Sequence, residues 1–197
     1  MKIINYFKNH KYLHMIIFAA LFTAYNGVIG IIYKSIWHIS IFVYYLLLLI
    51  VKSFIIYKTH NNIKGERKIF IFTVVLLFII SIALIAPITI MVLNKRVISF
   101  SLIASIGIAA YTTYKVTMSI ISYVKSRRLK GLMIKELKTI GLIESIVAIL
   151  TLQNTLISVN GGTGDDLYYL TVATSFIGWT MIASLLIFML IEGLKNK

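Results

Sequence analysis

The stretch that decides the fold runs from residue 69 to residue 93 and reads IFIFTVVLLFIISIALIAPITIMVL. It contains no charged residue over 25 positions. As a helix rising about 1.5 Å per residue, it is longer than the hydrocarbon core of a bilayer, which is about 30 Å thick. Its residues do not alternate between apolar and polar, as those of a membrane β-strand do. The stretch therefore predicts a transmembrane helix.

Five other apolar runs accompany this one, each near the roughly 20 residues that span a bilayer as a helix. The six runs are Tyr12–Tyr33, Trp37–Tyr57, Ile69–Leu93, Val97–Val124, Thr139–Val159 and Leu167–Leu194. Hydrophobic residues make up 59% of the 197-residue chain, which is more than a soluble domain of this length buries. We therefore expect an all-α polytopic membrane protein, in which residues 1–197 form a single domain of six transmembrane helices.

Basic residues are distributed unequally between the segments that flank the runs. The N-terminus, the segments after the second and fourth runs, and the C-terminus together hold 15 of the 20 lysine and arginine residues. The opposite segments hold Lys34, Lys95 and Arg96. Because Lys and Arg accumulate on the cytoplasmic side, we expect a multi-pass protein of the plasma membrane with both termini in the cytoplasm. The lipid bilayer then accounts for the net charge of +14, and nucleic acid is not expected as a partner.

A weak internal repeat relates residues 45–94 to residues 111–160 at a shift of 66. Twelve positions are identical without gaps, Ser53 and Ser119 among them. Composition alone gives about four or five identities, since Ile and Leu dominate both segments. The pattern favours three tandem copies of a two-helix hairpin, and the alternative is convergent apolar composition.

Three ionisable residues lie deep inside the apolar runs: Lys52, Lys115 and Glu144. A buried charge costs at least about 2.5–3.5 kcal/mol on insertion scales, so such residues are candidates for function. Lys52 lies near a predicted helix end, from which its stem can reach the cytoplasmic interface. Lys115 lies near mid-bilayer, where it must be paired, neutral or hydrated. We predict that Lys115 faces Glu144, with Lys52 as the alternative partner.

Polar residues extend these positions into one stripe on each of the fourth and fifth predicted helices. The candidate residues of this site are Lys115, Glu144, Tyr111, Ser119, Thr151, Asn154, Thr155 and Lys52. Spacings of three, four or seven residues place the members of each stripe on a common helix face. Two interpretations stay open: an ion pair that fixes helix packing, and a polar pathway for a small solute.

Two further patterns concern packing inside the bilayer. Gly27 and Gly30 offer a close-packing surface on the first helix. Tyr44 and Tyr45 lie near the outer interface or just within it, where aromatic belts occur. Neither pattern specifies a partner.

Sequence motifs for catalysis and metal binding are missing. The chain has no cysteine, no His-Glu-x-x-His, no nucleophile elbow and no phosphate-binding glycine loop. His10 and His14 have the i,i+4 spacing of metal ligands, but no glutamate follows His10. We therefore expect a protein that is not an enzyme, with no cofactor and no metal.

Two functions fit these features. The first is a transporter, or the membrane subunit of one, that handles a small polar solute along the stripe of the fourth and fifth helices. The alternative is a non-catalytic accessory, partner-binding or immunity-type membrane protein, which would contact a protein partner or a second copy of itself. A polar cavity reaching Lys115 would favour the first function, and sealed helices around a buried ion pair would favour the second.

Overall fold

The structure of the chain is a computed structural model, and it describes residues 10–60, 66–85, 89, 102–126, 131–159 and 165–195. In these residues the helices are α1 His10–Ile32, α2 Ile36–His60, α3 Glu66–Ala83, α4 Leu102–Ser126, α5 Leu132–Val159 and α6 Asp165–Lys195. No strand occurs within the described ranges, which confirms the all-α part of the prediction.

Three of these helices are long and apolar enough to cross a membrane. The spans are Ile36–Thr59 in α2, Leu132–Ile157 in α5 and Tyr169–Lys195 in α6, and α1 contributes the shorter apolar stretch Ile16–Ile32. The described part of α3 ends at Ala83, ten residues before the predicted end of its apolar run. Crossing by all six helices therefore remains a prediction.

Helix α5 is central among the described helices. It packs most extensively against α4 and also contacts α2, α3 and α6, while α1 packs on α2 and α3 packs on α6. Buried apolar residues recur along α5, from Leu137 through Ile140 and Ile143 to Val147. A helix that is buried on several sides carries apolar residues on all of them, and α5 does so although polar residues are interspersed along it.

The α1–α2 hairpin turns tightly through Lys34, the non-glycine residue with a left-handed backbone (φ 51°) in the described ranges. The backbone N–H groups of Lys34 and Ser35 donate to the carbonyl oxygens of Ile31 and Gly30, at 3.3 and 2.9 Å. These two bonds form a Schellman motif, which closes the C-terminus of α1. The hydroxyl of Ser35 then accepts a hydrogen bond from the backbone N–H of His38 at 3.4 Å and so caps the start of α2.

The two glycines of α1 allow α2 to approach closely, as the sequence predicts. A Cβ at Gly30 would lie 2.9 Å from the backbone nitrogen of Ile39, and a Cβ at Gly27 would lie 2.9 Å from the ring of Phe42. Real Cβ atoms essentially never approach other atoms so closely. The glycine face of α1 is therefore used within the chain, in the hairpin with α2.

The packing of the helices bears on the three-hairpin repeat. α1 packs against α2, and α5 against α6, as tandem hairpins require. The principal partners of α3 are instead α6 and α5, and α3–α4 is not among the closely packed pairs of the described ranges. The repeat remains a prediction, because most of the segment that joins α3 to α4 lies outside the described residues.

One end of the bundle gathers the end of α6 and the beginnings of α3 and α5, and we call it the basic end. Arg67 donates from Nε to the carbonyl oxygen of Gly193 at 3.0 Å and from Nη2 to that of Leu194 at 2.9 Å. Glu66 Oε1 accepts from the backbone N–H of Met133 at 3.2 Å. The start of α3 thus places a cation at one helix C-terminus and an anion at another helix N-terminus, which the helix dipoles favour.

Candidate functional site

The deep ionisable residues of α4 and α5 meet, and Lys52 of α2 joins them. Lys115 Nζ forms an ion pair with Glu144 Oε2. Lys52 Nζ lies 2.5 Å from Glu144 Oε1. Glu144 is 0% exposed, Lys52 1% and Lys115 8%. One carboxylate therefore bridges both lysines that the sequence offers as alternative partners, and we call these three residues the triad.

Hydrogen bonds to backbone carbonyls fix α5 to its neighbours around the triad. The Tyr45 hydroxyl donates to the carbonyl oxygen of Glu144 at 2.6 Å. From α5, Ser145 Oγ donates to the carbonyl oxygen of Lys115 at 3.3 Å. Each bond satisfies a polar group that the packed helices have removed from water. The triad is therefore held in place from both α2 and α4.

Tyr44 and Tyr45, which the sequence places near the outer interface or just within it, are buried in the bundle, at 4% and 0% exposed. Helix α2 turns Tyr45 towards α5, where its hydroxyl donates to a backbone carbonyl oxygen. The depth of the two tyrosines in a bilayer stays a prediction.

The other stripe residues are also enclosed. Thr151 and Thr155 are fully buried, and their hydroxyls donate to the carbonyl oxygens of Val147 and Thr151 at 2.9 and 2.8 Å. Ser119 is buried on the α4 side. These hydroxyl donors are satisfied within their own helix, as is common for Thr in apolar surroundings. The stripe of α5 is therefore a packed surface in the part that the structure describes.

Two stripe positions differ from the rest. The ring of Tyr111 stacks on Phe22 of α1, with centroids 4.1 Å apart and planes 6° apart. Tyr111 lines an apolar groove of about 290 Å³ between α1 and α4, while its hydroxyl is buried without a hydrogen-bond partner among the described residues. The side chain of Asn154 lies outside the described residues.

A second buried acid, Glu136, lies in the second turn of α5 at the basic end. It is 0% exposed. Its Oε1 accepts a hydrogen bond from the hydroxyl of Thr73 on α3. Its Oε2 is buried and has no hydrogen-bond partner among the described residues. Glu136 thus has one carboxylate oxygen hydrogen-bonded and the other buried without a partner among the described residues.

Glu136 is not among the predicted site residues, because the apolar run that predicts the fifth helix begins at Thr139 and leaves the charged residues before it in a loop. The structure begins α5 at Leu132, so these residues are helical. A signal was present: residues 132–138 contain no Gly or Pro, and Met133, Leu137 and Ile140 continue the apolar periodicity backwards.

Glu136 is among the residues that line a partly open pocket of about 120 Å³ between α3, α4, α5 and α6. The polar lining consists of Ser126, Lys135, Glu136, Thr139 and Glu192. The apolar lining consists of Phe70, Tyr123, Phe188 and Met189. Beside Glu136, Lys135 Nζ lies 2.5 Å from Glu192 Oε1 in a part-exposed ion pair. We call this cavity the Glu136 pocket.

No group of three or more His, Cys, Asp or Glu side chains comes together in the described residues, so these residues offer no set of ligands for a metal ion. His38 is buried and its Nδ1 lies 3.0 Å from Asn26 Oδ1. The side chains of His10 and His14 lie outside the described residues. The buried histidine is therefore accounted for by a packing hydrogen bond between α1 and α2.

Comparisons of the chain with protein-family models, curated proteins and solved structures find no match. The candidate site therefore contains two buried carboxylates of α5 that differ in their pairing. Glu144 pairs with two lysines. Glu136 lines a pocket, and its Oε2 has no hydrogen-bond partner among the described residues.

Proposed function

We propose that the chain is a six-span protein of the cell membrane, with one domain over residues 1–197 and both termini in the cytoplasm, that binds and transports a small polar solute. Three helices with the length and composition of membrane spans support this assignment. The distribution of basic residues, 15 against three, supports the orientation. The Glu136 pocket then lies at the cytoplasmic end of the bundle.

Glu136 carries the proposal, because it lines the pocket and its Oε2 is buried without a hydrogen-bond partner among the described residues. Burying an ionised carboxylate without a partner is costly, and the same helix avoids that cost at Glu144 by means of two lysines. Glu136 has only the Thr73 hydroxyl at its other oxygen among described residues. A buried acid that faces a cavity in a membrane protein is a candidate solute contact.

In this proposal the triad is a scaffold and not the pathway. The carboxylate of Glu144 ties α2 to α4 through α5. Both of its carboxylate oxygens already have a lysine partner, so the triad needs no counter-ion from a solute. The interpretation of Lys115 and Glu144 as an ion pair that fixes packing is therefore preferred, and the solute is assigned to the Glu136 pocket.

A second candidate is a non-catalytic accessory, partner-binding or immunity-type protein. The sealed triad favours it, and so does the outer face of α4. Gly107, Ala110, Thr113 and Thr117 are exposed along that face, and a Cβ at Gly107 would meet nothing within 4 Å. Small residues on a lipid-facing surface let a second helix approach closely. The partner would be another membrane protein or a second copy of this chain.

Transport is tested by reconstituting the purified chain into sealed liposomes and measuring flux of small cations, zwitterions and neutral polyols. The proposal expects saturable flux of one class, reduced at least tenfold in Glu136→Gln and retained in Glu66→Gln. Glu66 carries the same charge at the same end but does not line the pocket. If no class of solute shows flux and α4 cross-links to a second chain, the second candidate function would replace transport.

A further inference from the structure

We propose that the Glu136 pocket binds a small primary alkylammonium ion, with the carboxylate of Glu136 as its counter-ion. The inference builds on the proposed function, because it names the class of solute for the same pocket. Its evidence is the balance of charge, the chemistry of the lining and the size of the cavity.

One carboxyl group of the described lining has no cationic partner among the described residues. Two acidic side chains, Glu136 and Glu192, and one ammonium group, Lys135, line the pocket. Lys135 is engaged with Glu192 at 2.5 Å. Glu136 therefore lacks a cationic partner among the described residues, although the chain as a whole carries a net charge of +14. A bound cation would pair with the Glu136 carboxylate where the described residues do not.

The oxygen atoms of the pocket suit an ammonium group. An ammonium group has three N–H donors. Glu136 Oε2 is buried without a hydrogen-bond partner among the described residues, so it has the capacity to accept one of them. The hydroxyls of Ser126 and Thr139 donate to carbonyl oxygens of their own helix, at 2.7 and 3.0 Å, so their oxygens remain available as acceptors.

The apolar side of the pocket suits a short alkyl chain next to the charge. Phe70, Tyr123 and Phe188 bring aromatic rings to the lining, and Met189 adds a thioether. Aromatic rings combined with a carboxylate are a recurrent means of binding organic ammonium ions. At about 120 Å³, the cavity is well below the roughly 300–1,000 Å³ of sites for drug-sized ligands. Methylammonium and ethylammonium therefore fit better than a polyamine.

The test is equilibrium binding to the full chain in detergent, in phosphate buffer because common amine buffers would compete. Methylammonium and ethylammonium chloride are titrated calorimetrically against the native chain, Glu136→Gln and Glu66→Gln. Glutamine at position 136 keeps an oxygen to accept the Thr73 hydrogen bond, so the variant is expected to fold. We expect saturable binding that weakens at least tenfold in Glu136→Gln and is unchanged in Glu66→Gln.

Three results would overturn the inference: no saturable binding to the folded native chain, equal affinity in Glu136→Gln, or an equal response to sodium or potassium chloride. The outcome is separate from that of the transport assay. Ammonium binding without flux would keep this inference and remove transport. Flux of a different class of solute, without ammonium binding, would keep transport and remove this inference.

Discussion

The triad makes a quantitative prediction, because one carboxylate serves two lysines. Glu144→Gln leaves Lys52 and Lys115 buried without a counter-charge, and breaking a buried ion pair in this way costs about 3–5 kcal/mol. Lys115→Met still leaves the neutral pair of Lys52 and Glu144, at 2.5 Å, so its cost should be about 1 kcal/mol or less. The variant that removes the acid should therefore be much less stable than the variant that removes Lys115.

The assay is thermal unfolding in detergent, followed by the fluorescence of Trp37 and Trp179. For a chain of this length a loss of 3–5 kcal/mol corresponds to a drop in Tm of about 6–20 °C. The double variant of Lys52→Met and Lys115→Met should be as unstable as Glu144→Gln, since it leaves the acid alone. Adding Glu144→Gln to that double variant should recover most of the loss.

The chain contains a matched control for this series. Lys135 and Glu192 form an ion pair of the same chemistry, but their side chains are 27% and 24% exposed. Glu192→Gln should therefore cost about 1 kcal/mol or less, because solvent screens the charge that remains. Equal losses for Glu144→Gln, Lys115→Met and Glu192→Gln, or strict additivity in the triple variant, would refute the triad as a coupled unit.

Three further predictions concern packing, capping and topology. Gly30→Ala should destabilise the protein by about 1–3 kcal/mol in the same unfolding assay, since the new Cβ would lie 2.9 Å from a backbone atom of α2. Gly107→Ala should be neutral or stabilising, and equal effects of the two substitutions would contradict the packing of α1 on α2. Arg67→Ala should cost about 1–2 kcal/mol by releasing two carbonyl groups at the end of α6, and hydrogen exchange there should rise; unchanged exchange would count against the cap. A single cysteine at Asn62 should react in intact cells only with membrane-permeant thiol reagents and one at Gly162 also with impermeant ones, and the reverse pattern would overturn the orientation.

The contact between Lys115 and Glu144 was predictable from the sequence, and the participation of Lys52 in the triad was not. Lys115 and Glu144 lie too deep in apolar runs to be unpaired, so the cost of a buried charge alone predicts their contact. Lys52 can also reach an interface by its long stem, and the sequence does not decide between that and Glu144. The choice depends on how α2 crosses α5, which is a property of the packed bundle.

Glu136 was overlooked for a different physical reason. The limits of an apolar run mark where the bilayer begins, but a helix continues as long as its own hydrogen bonds and side-chain propensities allow. The segment around Lys135, Glu136 and Lys138 is rich in charge and resembles a cytoplasmic loop. Glu136 is buried because α5 contacts α3 and α6, and these contacts do not follow from the local sequence.

In the proposed function, solutes reach the Glu136 pocket from the cytoplasm and do not reach the triad. Because the chain has no cysteine, two near-isosteric substitutions test this access directly. Ser126→Cys places a thiol in the pocket lining, and Ser145→Cys places one beside the triad. The measurement is the rate of modification by an ethylammonium-bearing thiol reagent in inside-out vesicles. We expect rapid reaction at position 126, slowed by added ethylammonium, and essentially none at position 145. Comparable rates at the two positions, or no reaction at position 126 in folded protein, would contradict the proposed access.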